Sequence, residues 1–446
     1  MRKVAGLGSA GVAEAVHARP DRQRLALMAL LLVAAMPVRI PINVPLVGSI
    51  SILDVFLVLA SATLILDLPS RRLNWGYSSL PVLMAVPTVV SLMSVIWSDD
   101  RVATLNSTIV YLEGILAYLF VVRELEMLSP DRVVAYIRRF ALLVTIPAVL
   151  LLLHVPGFEP YDPALSESSG DYISYYTRLS HPILGRSNNL AAVLFIFVPP
   201  LLYWGHTRRK LYASLVGFLS LVAVAATLSR GLLLSVLIAG LVYAALLRRA
   251  PHTSRRPLIG KFLAMAIGLA IAATAFYQLN PPTREFLAGR LSATNVELRV
   301  DLYVQAFRQT LDRPLLGYGG DALGSHSSAL AVDVHNTYLQ QILNFGVPLG
   351  VLVGLAIAAL PVPFLLRRRI CPLAGAIGFA VLVEVISFSF ESSFEGTVLR
   401  VIFFLSLGLL VGLLKAAEAE MSVSPPVASA ISGKNGRAYK AGKAYQ

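Results

Sequence analysis

The chain has 446 residues, of which 56% are hydrophobic and only 14% charged, and its mean hydropathy is +0.71. This composition excludes an ordinary soluble domain and predicts a polytopic membrane protein. The net charge of +13 does not indicate nucleic-acid binding, because the basic residues gather in short segments between apolar runs. The one cysteine, Cys371, excludes an intramolecular disulfide.

Apolar runs long enough to cross about 30 Å of hydrocarbon recur along the chain and predict an all-α protein with about twelve transmembrane helices. The second run is weak, since it carries Asp54 and follows three prolines, so a broken entry is expected. The seventh and eighth are joined only by "LSRG", which predicts a tight hairpin. The predicted spans are 25–38, 52–67, 79–97, 107–122, 133–153, 189–204, 212–228, 231–247, 259–279, 345–366, 371–389 and 397–414.

The positions of lysine and arginine predict the orientation. If the N-terminus is cytoplasmic, the segments "PSRRLN", "HTRRK", "LRRAPHTSRR" and "LLRRRI" all fall on the cytoplasmic side, as the positive-inside rule requires. Both termini are therefore predicted to be cytoplasmic. All seven lysines then lie inside, and every external basic residue is an arginine. Arginine binds phosphate with two parallel hydrogen bonds, so the external arginines are candidates for holding such an anion.

This topology divides the chain into five parts. They are a cytoplasmic segment at 1–24, nine transmembrane helices within 25–279 with an external loop at 154–188, a large external loop at 280–344 with helical content, three transmembrane helices within 345–414, and a cytoplasmic tail at 415–446. The tail lacks apolar periodicity and is predicted to be disordered.

His335 is the external histidine that the sequence marks for chemistry. It precedes Asn336 and Thr337, which can cap the helix that follows, and this places the ring at the membrane surface. A neutral imidazole is well matched to removing a proton near pH 7, although a residue here can also simply cap or pack. The other external histidines are interpreted as solvated loop residues: His154, His181 and His326.

Four external arginines form a second set of candidates. Arg186 lies in "LGRSNNLAAVL" just before a span, and Arg230 lies in the "SRG" link. Arg299 and Arg308 flank "RVDLYVQAFR" and point in different directions if that segment is one helix. The alternatives are a snorkelling or capping role for Arg230, a surface charge for Arg308, and pairing with a nearby carboxylate for the other two.

The external segments show no metal-binding pattern. No D-x-D motif appears, and no cluster of histidine, aspartate and glutamate has metal-ligand spacing. Asp99 and Asp100 are adjacent, so they point apart on a regular element. The sequence therefore predicts a site without metal or cofactor.

The order of motifs resembles a known family. The external "LGRSNNLA", the "TLSRG" link, "ELRVDLYVQAFRQTLDRPLLGYGGDALG" and "HNTYLQQILNFGVPLG" follow one another. This order is similar to the O-antigen ligase and polymerase superfamily of bacterial inner membranes, over roughly residues 180–350. The resemblance implies a membrane-embedded glycosyltransferase that acts at the periplasmic face on a glycan carried by undecaprenyl diphosphate.

Two activities of the superfamily are open. A ligase transfers the glycan to lipid A–core oligosaccharide, and a polymerase transfers it to another repeat unit. "RSNNL" matches the R-x-x-x-L pattern of ligases, and one long late loop also favours a ligase. A transporter is the alternative from another class, and its candidate ionisable residues, Asp54, Glu113 and Glu384, show no paired arrangement.

The resemblance also implies roles for the candidate residues. Arg186 and Arg299, with Arg230 and Arg308 as further members, would hold the diphosphate, which is also the leaving group. His335 would remove the proton of the acceptor hydroxyl, and a single displacement would invert the anomeric centre. The candidate supporting residues are Asn336 and Asn188. Membrane lipids are expected around the chain.

Overall fold

The computed structural model describes residues 26–34, 39–44, 48–53, 55–59, 79–126, 128–153, 155, 179–181, 187–247, part of 267–278, 294–320, 334, 336–390 and 397–423. Apart from one short β-hairpin, the ordered elements of this part are helical. They are β1 (Arg39–Val44), β2 (Gly48–Ser51), α1 (Ser79–Ser94), α2 (Arg101–Leu125), α3 (Pro130–Leu152), α4 (Ser187–Phe195), α5 (Val198–Thr207), α6 (Leu211–Ala226), α7 (Arg230–Leu247), α8 (Thr294–Asp312), α9 (Thr337–Ala358), α10 (Val362–Arg367), α11 (Pro372–Ser387) and α12 (Thr397–Val423).

Several of these helices have the length and composition of membrane spans. Within the described residues, five stretches meet both criteria, and further apolar helices are shorter. The fold is thus that of a helical, multi-span membrane protein. The five stretches are Arg101–Leu125, Pro130–Leu152, Ser187–Thr207, Thr337–Arg367 and Leu399–Ser422, and the shorter helices are Ser79–Ser94, Leu211–Ala226, Arg230–Leu246 and Pro372–Ser387.

The described helices confirm the all-α prediction, and one short antiparallel pair, β1–β2, accompanies them, with Asn43 opposite Ser49. Helix α9 begins at Thr337, after the predicted cap and ahead of the predicted membrane span at 345. Helix α12 continues to Val423, so residues 415–423 of the predicted disordered tail are helical, and 424–446 lie outside the described residues. In both helices polar residues extend an apolar run, which hydropathy alone does not register.

The link between α6 and α7 is as short as predicted, but the two helices do not form a packed hairpin. Residues 227–229 join them, with Leu228 in the left-handed region at φ 51°. Helix α6 packs mainly against α5, and α7 packs mainly against α11. The link therefore separates two helices that belong to different parts of the bundle.

Helix α12 forms the centre of the bundle. It packs along α2 and against α3, and its middle residues, such as Leu405, Leu410 and Leu414, are fully buried. Gly408 allows close approach, since a Cβ there would lie 3.0 Å from the carbonyl oxygen of Tyr118 on α2. Small residues at such crossings are typical of membrane helices, where association depends on close packing.

The bundle has two distinct ends. At one end Arg208 forms two hydrogen bonds with the carboxylate of Glu420, at 3.1 and 2.8 Å, and Lys210 lies 3.1 Å from Asp131. We call this the basic end, because it brings together arginine- and lysine-rich segments that the sequence assigns to one side. The other end, which carries the first turn of α9 and the start of α12, is called the motif end.

Candidate functional site

Two backbone N–H groups in the first turn of α9 have partners outside the helix ladder. The Asn336 side chain accepts a hydrogen bond from the Leu339 N–H at 3.0 Å, so the predicted capping role of Asn336 is confirmed. The Thr337 N–H donates to the carbonyl oxygen of Phe388, at the end of α11, at 2.8 Å. His335 lies outside the described residues, but Thr337, two residues after it, is hydrogen-bonded to the end of α11.

Two further contacts hold this turn in place. The Tyr338 hydroxyl donates to the carbonyl oxygen of Val385 on α11 at 2.7 Å. On the other flank Val334 is buried in a small cluster with Ala306 of α8 and Leu343 of α9. The backbone on either side of position 335 is therefore held between α8 and α11.

Helix α9 is broken inside its length, at Gly346, where φ is 75° and ψ is 170°. The carbonyl groups of Leu343 and Asn344 lack helical partners here, because the Val347 N–H donates elsewhere and Pro348 has no N–H. The Tyr318 and Gly319 N–H groups supply these hydrogen bonds, at 3.1 and 2.7 Å. A second segment, the "RPLLGYGG" turn at 313–320, thus provides the donors for these backbone carbonyl groups.

The turn and the break can pack against each other only because each has a glycine at the point of contact. A Cβ at Gly346 would overlap the backbone of Leu315, and one at Gly317 would lie 2.5 Å from the Leu343 carbonyl oxygen. The Val347 N–H completes the joint by donating to the carbonyl oxygen of Pro314 at 2.7 Å. The two sequence motifs are therefore the two halves of one structural joint.

The loop between α1 and α2 holds the turn from its other side. The Trp97 indole N–H donates to the Leu316 carbonyl oxygen at 2.6 Å, and Asp99 forms an ion pair with Arg313 at 2.7 Å. The Arg313 guanidinium also lies over the Tyr318 ring, 4.8 Å from its centre. The turn is consequently held between the α1–α2 loop and helix α9.

Beneath the turn lies a layer of buried hydroxyl groups. Ser98 and Thr104 are hydrogen-bonded at 2.7 Å, and Ser91 and Thr108 at 2.8 Å. Gly319 lies directly against the first pair, where a side chain would overlap them. Because these hydroxyls pair with one another, the polar layer is compatible with a buried position between α1, α2 and the turn.

The polar layer ends at Arg400 of α12, which is only 1% exposed. Its guanidinium stacks on the Tyr111 ring, 4.0 Å from the centre, and donates to the Ser107 hydroxyl at 3.3 Å. The Tyr111 hydroxyl donates to the Gln341 side chain on α9 at 3.3 Å. The sequence analysis did not predict this group, although an arginine one turn into an apolar run could have indicated a buried functional or structural charge.

The structure describes the predicted site residues to different extents. His335 and Arg186 lie outside the described residues. Asn188 is half-buried in the first turn of α4, immediately after Arg186, and Arg230 is the exposed first residue of α7. Both helices begin at the motif end, as does α9, so these starting points lie at one end of the bundle.

The two arginines of α8 lie on different sides of one helix, as predicted. At 100° per residue, position 299 lies within about 20° of the buried Ala306, whereas position 308 lies about 200° away. The Arg308 side chain is exposed, and that of Arg299 lies outside the described residues. The structure thus separates Arg308 from the side of α8 that packs against α9.

His181 does not fit the prediction of a solvated loop residue. It is fully buried, and the neighbouring Leu179 N–H donates to the Ala226 carbonyl oxygen at the end of α6. Burial disfavours the charged ring and lowers the pKa of His181 to about 3. This neutral histidine anchors the chain five residues before Arg186 to the core.

Among the described residues, no group of three histidine, cysteine, aspartate or glutamate side chains could hold a metal ion. The expected independence of metal stays a prediction. Of the candidate ionisable residues of the transporter alternative, Glu113 lies on α2 and Glu384 is buried on α11, whereas Asp54 lies outside the described residues.

Comparison with known proteins identifies the segment that contains this joint. A search of curated proteins found no match. The family model described as O-antigen ligase matches residues 215–354, which include α7, α8, the docked turn and the broken part of α9. This match, with the joint that lies within it, supports membership of the O-antigen ligase superfamily.

Proposed function

We propose that this protein is an O-antigen ligase that transfers a glycan from undecaprenyl diphosphate to lipid A–core oligosaccharide. The observation that carries the proposal is the docking of the 313–320 turn into the break of α9, within the matched segment. This joint, with the Thr337–Phe388 hydrogen bond, fixes the start of α9 next to His335. A base on a rigid support loses little rate to misplacement.

In the proposed reaction, His335 accepts the proton of an acceptor hydroxyl while the oxygen attacks the anomeric carbon of the donor sugar. The bond from that carbon to the diphosphate oxygen breaks, and undecaprenyl diphosphate leaves. Negative charge grows on the diphosphate as the bond breaks, so guanidinium groups held nearby lower the barrier. One displacement without a covalent intermediate inverts the anomeric centre.

The proposed diphosphate clamp consists of Arg186 and Arg299, with Arg230 as a third member. Arg186 directly precedes α4, Arg230 begins α7, and position 299 is on the side of α8 that packs against α9. These positions support the proposal that the three guanidinium groups converge at the motif end. We leave Arg308 out of the clamp, because its exposed side chain lies on the far side of α8.

We further propose that the motif end faces the periplasm of a bacterial inner membrane, with about twelve spans and both termini cytoplasmic. The support is the basic end, where the described lysines Lys210 and Lys415 lie, and the positive-inside rule. Alkaline phosphatase fused near Ser327 should be active. Activity of a cytoplasmic reporter at the same position would contradict this topology.

The decisive experiment is transfer by the full chain in vesicles that contain the lipid-linked donor, with and without lipid A–core. A ligase forms a glycan–lipid A–core product only when the acceptor is present. A polymerase forms longer lipid-linked glycan without it. Movement of the donor without any new covalent glycolipid would contradict both and support a carrier. The reaction should proceed in EDTA.

The matched variants for the base are His335→Gln and His206→Gln. Glutamine keeps size and hydrogen bonding but cannot take up the proton, so His335→Gln should lose about 10²–10⁴ in rate. His206 is exposed at the basic end, on the last turn of α5, and its variant should keep full activity. Near-normal turnover by His335→Gln would remove the histidine from the chemistry.

A further inference from the structure

Helix α8 has an apolar face that no part of the described protein covers. Its packed side carries Leu302, Ala306 and Thr310, all buried. A second line of apolar residues recurs at helical spacing on another side and is exposed. We call it the α8 stripe, and it consists of Val300 at 52%, Val304 at 43%, Phe307 at 60% and Leu311 at 61% exposure.

The remaining side of α8 is polar. Asp301, Gln305, Arg308 and Asp312 are all exposed. At 100° per residue, the stripe covers about 100–160° measured from Ala306, and the polar residues cover about 200–260°. The helix therefore has three sides: one against α9, one apolar and open, and one suited to water.

The stripe continues onto surfaces that a membrane span exposes. Leu315 and Leu316 in the docked turn are 70% and 48% exposed, and they lead to Val347 and Val351 on the outer side of α9, each 42% exposed. Val347 is joined to the turn by the hydrogen bond to Pro314. Because α9 and α10 form a candidate membrane span, the lipid-facing surface of that span runs without interruption into the α8 stripe.

The docked turn meets α9 near Val347, at a position along the span that matches the edge of the hydrocarbon layer. From Val347 to Arg367, which pairs with Glu418 at the basic end, a helix is roughly 30 Å long and matches the hydrocarbon thickness. At the other limit lie Trp97, an aromatic residue of the type enriched at membrane interfaces, and the charged Asp99. Helix α8, which precedes the turn, therefore ends at the surface of the hydrocarbon layer.

We propose that α8 lies in the membrane surface, with the α8 stripe among the upper acyl chains and Arg308 at the level of the phospholipid phosphates. Arg308 follows Val304 by four residues and precedes Leu311 by three, so it borders the stripe on its polar edge. A guanidinium there matches an anionic headgroup in charge and geometry. This surface role is separate from the proposed transfer reaction and does not depend on it.

The test uses spin labels on the full chain in vesicles of phosphatidylethanolamine and phosphatidylglycerol. Cys371→Ser removes the one native cysteine, and labels are attached to single variants Val304→Cys, Phe307→Cys and Leu311→Cys. Collisions with apolar oxygen should exceed those with a water-soluble nickel chelate at all three. Asp301→Cys and Asp312→Cys should show the reverse, and Leu355→Cys, 63% exposed on α9, is the lipid reference.

Three results would overturn the proposal. If the nickel chelate reaches the stripe labels as readily as the Asp301 label, the stripe lies in water. If neither reagent reaches them, protein covers the stripe, either another part of this chain or a second copy. If Arg308→Glu leaves the depth of the Leu311 label unchanged in the presence of phosphatidylglycerol, the arginine does not contact the headgroups; the proposal expects the label to move outward.

Discussion

Replacing Gly346 by alanine should open the joint between the docked turn and α9. The residue has φ 75° and ψ 170°, a region that only glycine occupies at low cost, and an added Cβ would overlap the Leu315 backbone. Backbone cannot move aside as a flexible side chain can. The Gly346→Ala chain must therefore either keep a strained backbone or expel the turn.

The size of the effect follows from the contacts that would be lost. The backbone strain costs about 1–3 kcal/mol. The three hydrogen bonds of the joint, from Tyr318, Gly319 and Val347, contribute about 1 kcal/mol each. Because the chain takes the less costly of these two outcomes, Gly346→Ala should lower the free energy of unfolding by at most about 3 kcal/mol, a factor of about 10² in the folding equilibrium.

The matched control is Gly240→Ala on α7, where an added Cβ would meet nothing within 4 Å. It should be neutral or slightly stabilising, because alanine favours a helix over glycine by about 1 kcal/mol. Both variants are purified in detergent and compared by thermal unfolding and by transfer to lipid A–core. Gly346→Ala should insert yet unfold at lower temperature and lose most transfer. Normal unfolding and transfer by Gly346→Ala would refute the account of the joint.

Three further predictions follow from individual side chains. Arg299→Lys should lose most transfer activity, since lysine cannot make two parallel hydrogen bonds to phosphate, whereas Arg308→Lys should keep it; equal losses would contradict the assignment of the two sides of α8. Arg400→Lys should lower the free energy of unfolding by about 2 kcal/mol, because the stacking on Tyr111 is lost. Tyr111→Phe should lower it by about 1 kcal/mol, because the hydrogen bond to Gln341 is lost. An unchanged unfolding temperature in Arg400→Lys would show that the stacking contributes nothing. Because the pKa of His181 is about 3 in the folded chain and about 6.5 in the unfolded one, the unfolded state binds the proton first, so stability should be complete above pH 6.5 and fall by up to about 1.4 kcal/mol per unit below it. His181→Gln should abolish this dependence between pH 7 and 5, and an equal slope in both proteins would assign it to other groups.

Features that depend on neighbouring residues could be predicted from the sequence. Apolar runs predicted most of the described helices, and the Asn336 cap was predicted from its place before Thr337. The nine-residue spacing of Arg299 and Arg308 predicted that they would diverge on one helix. The order of motifs indicated the family that residues 215–354 match. All of these are properties of local spacing, which the chain carries without reference to its fold.

The tertiary structure decided which of these local features meet. Arg400 and Ser107 are 293 residues apart, and Tyr111 and Gln341 are 230 apart, so no local pattern links them. Spacing likewise could not say which side of α8 would pack and which would remain open. The glycines at 317 and 346 could be noted in the sequence, but only the folded chain brings one backbone into the break of another. Such contacts depend on how distant helices pack and on which buried polar groups must find partners there, and these are fixed only when the bundle closes.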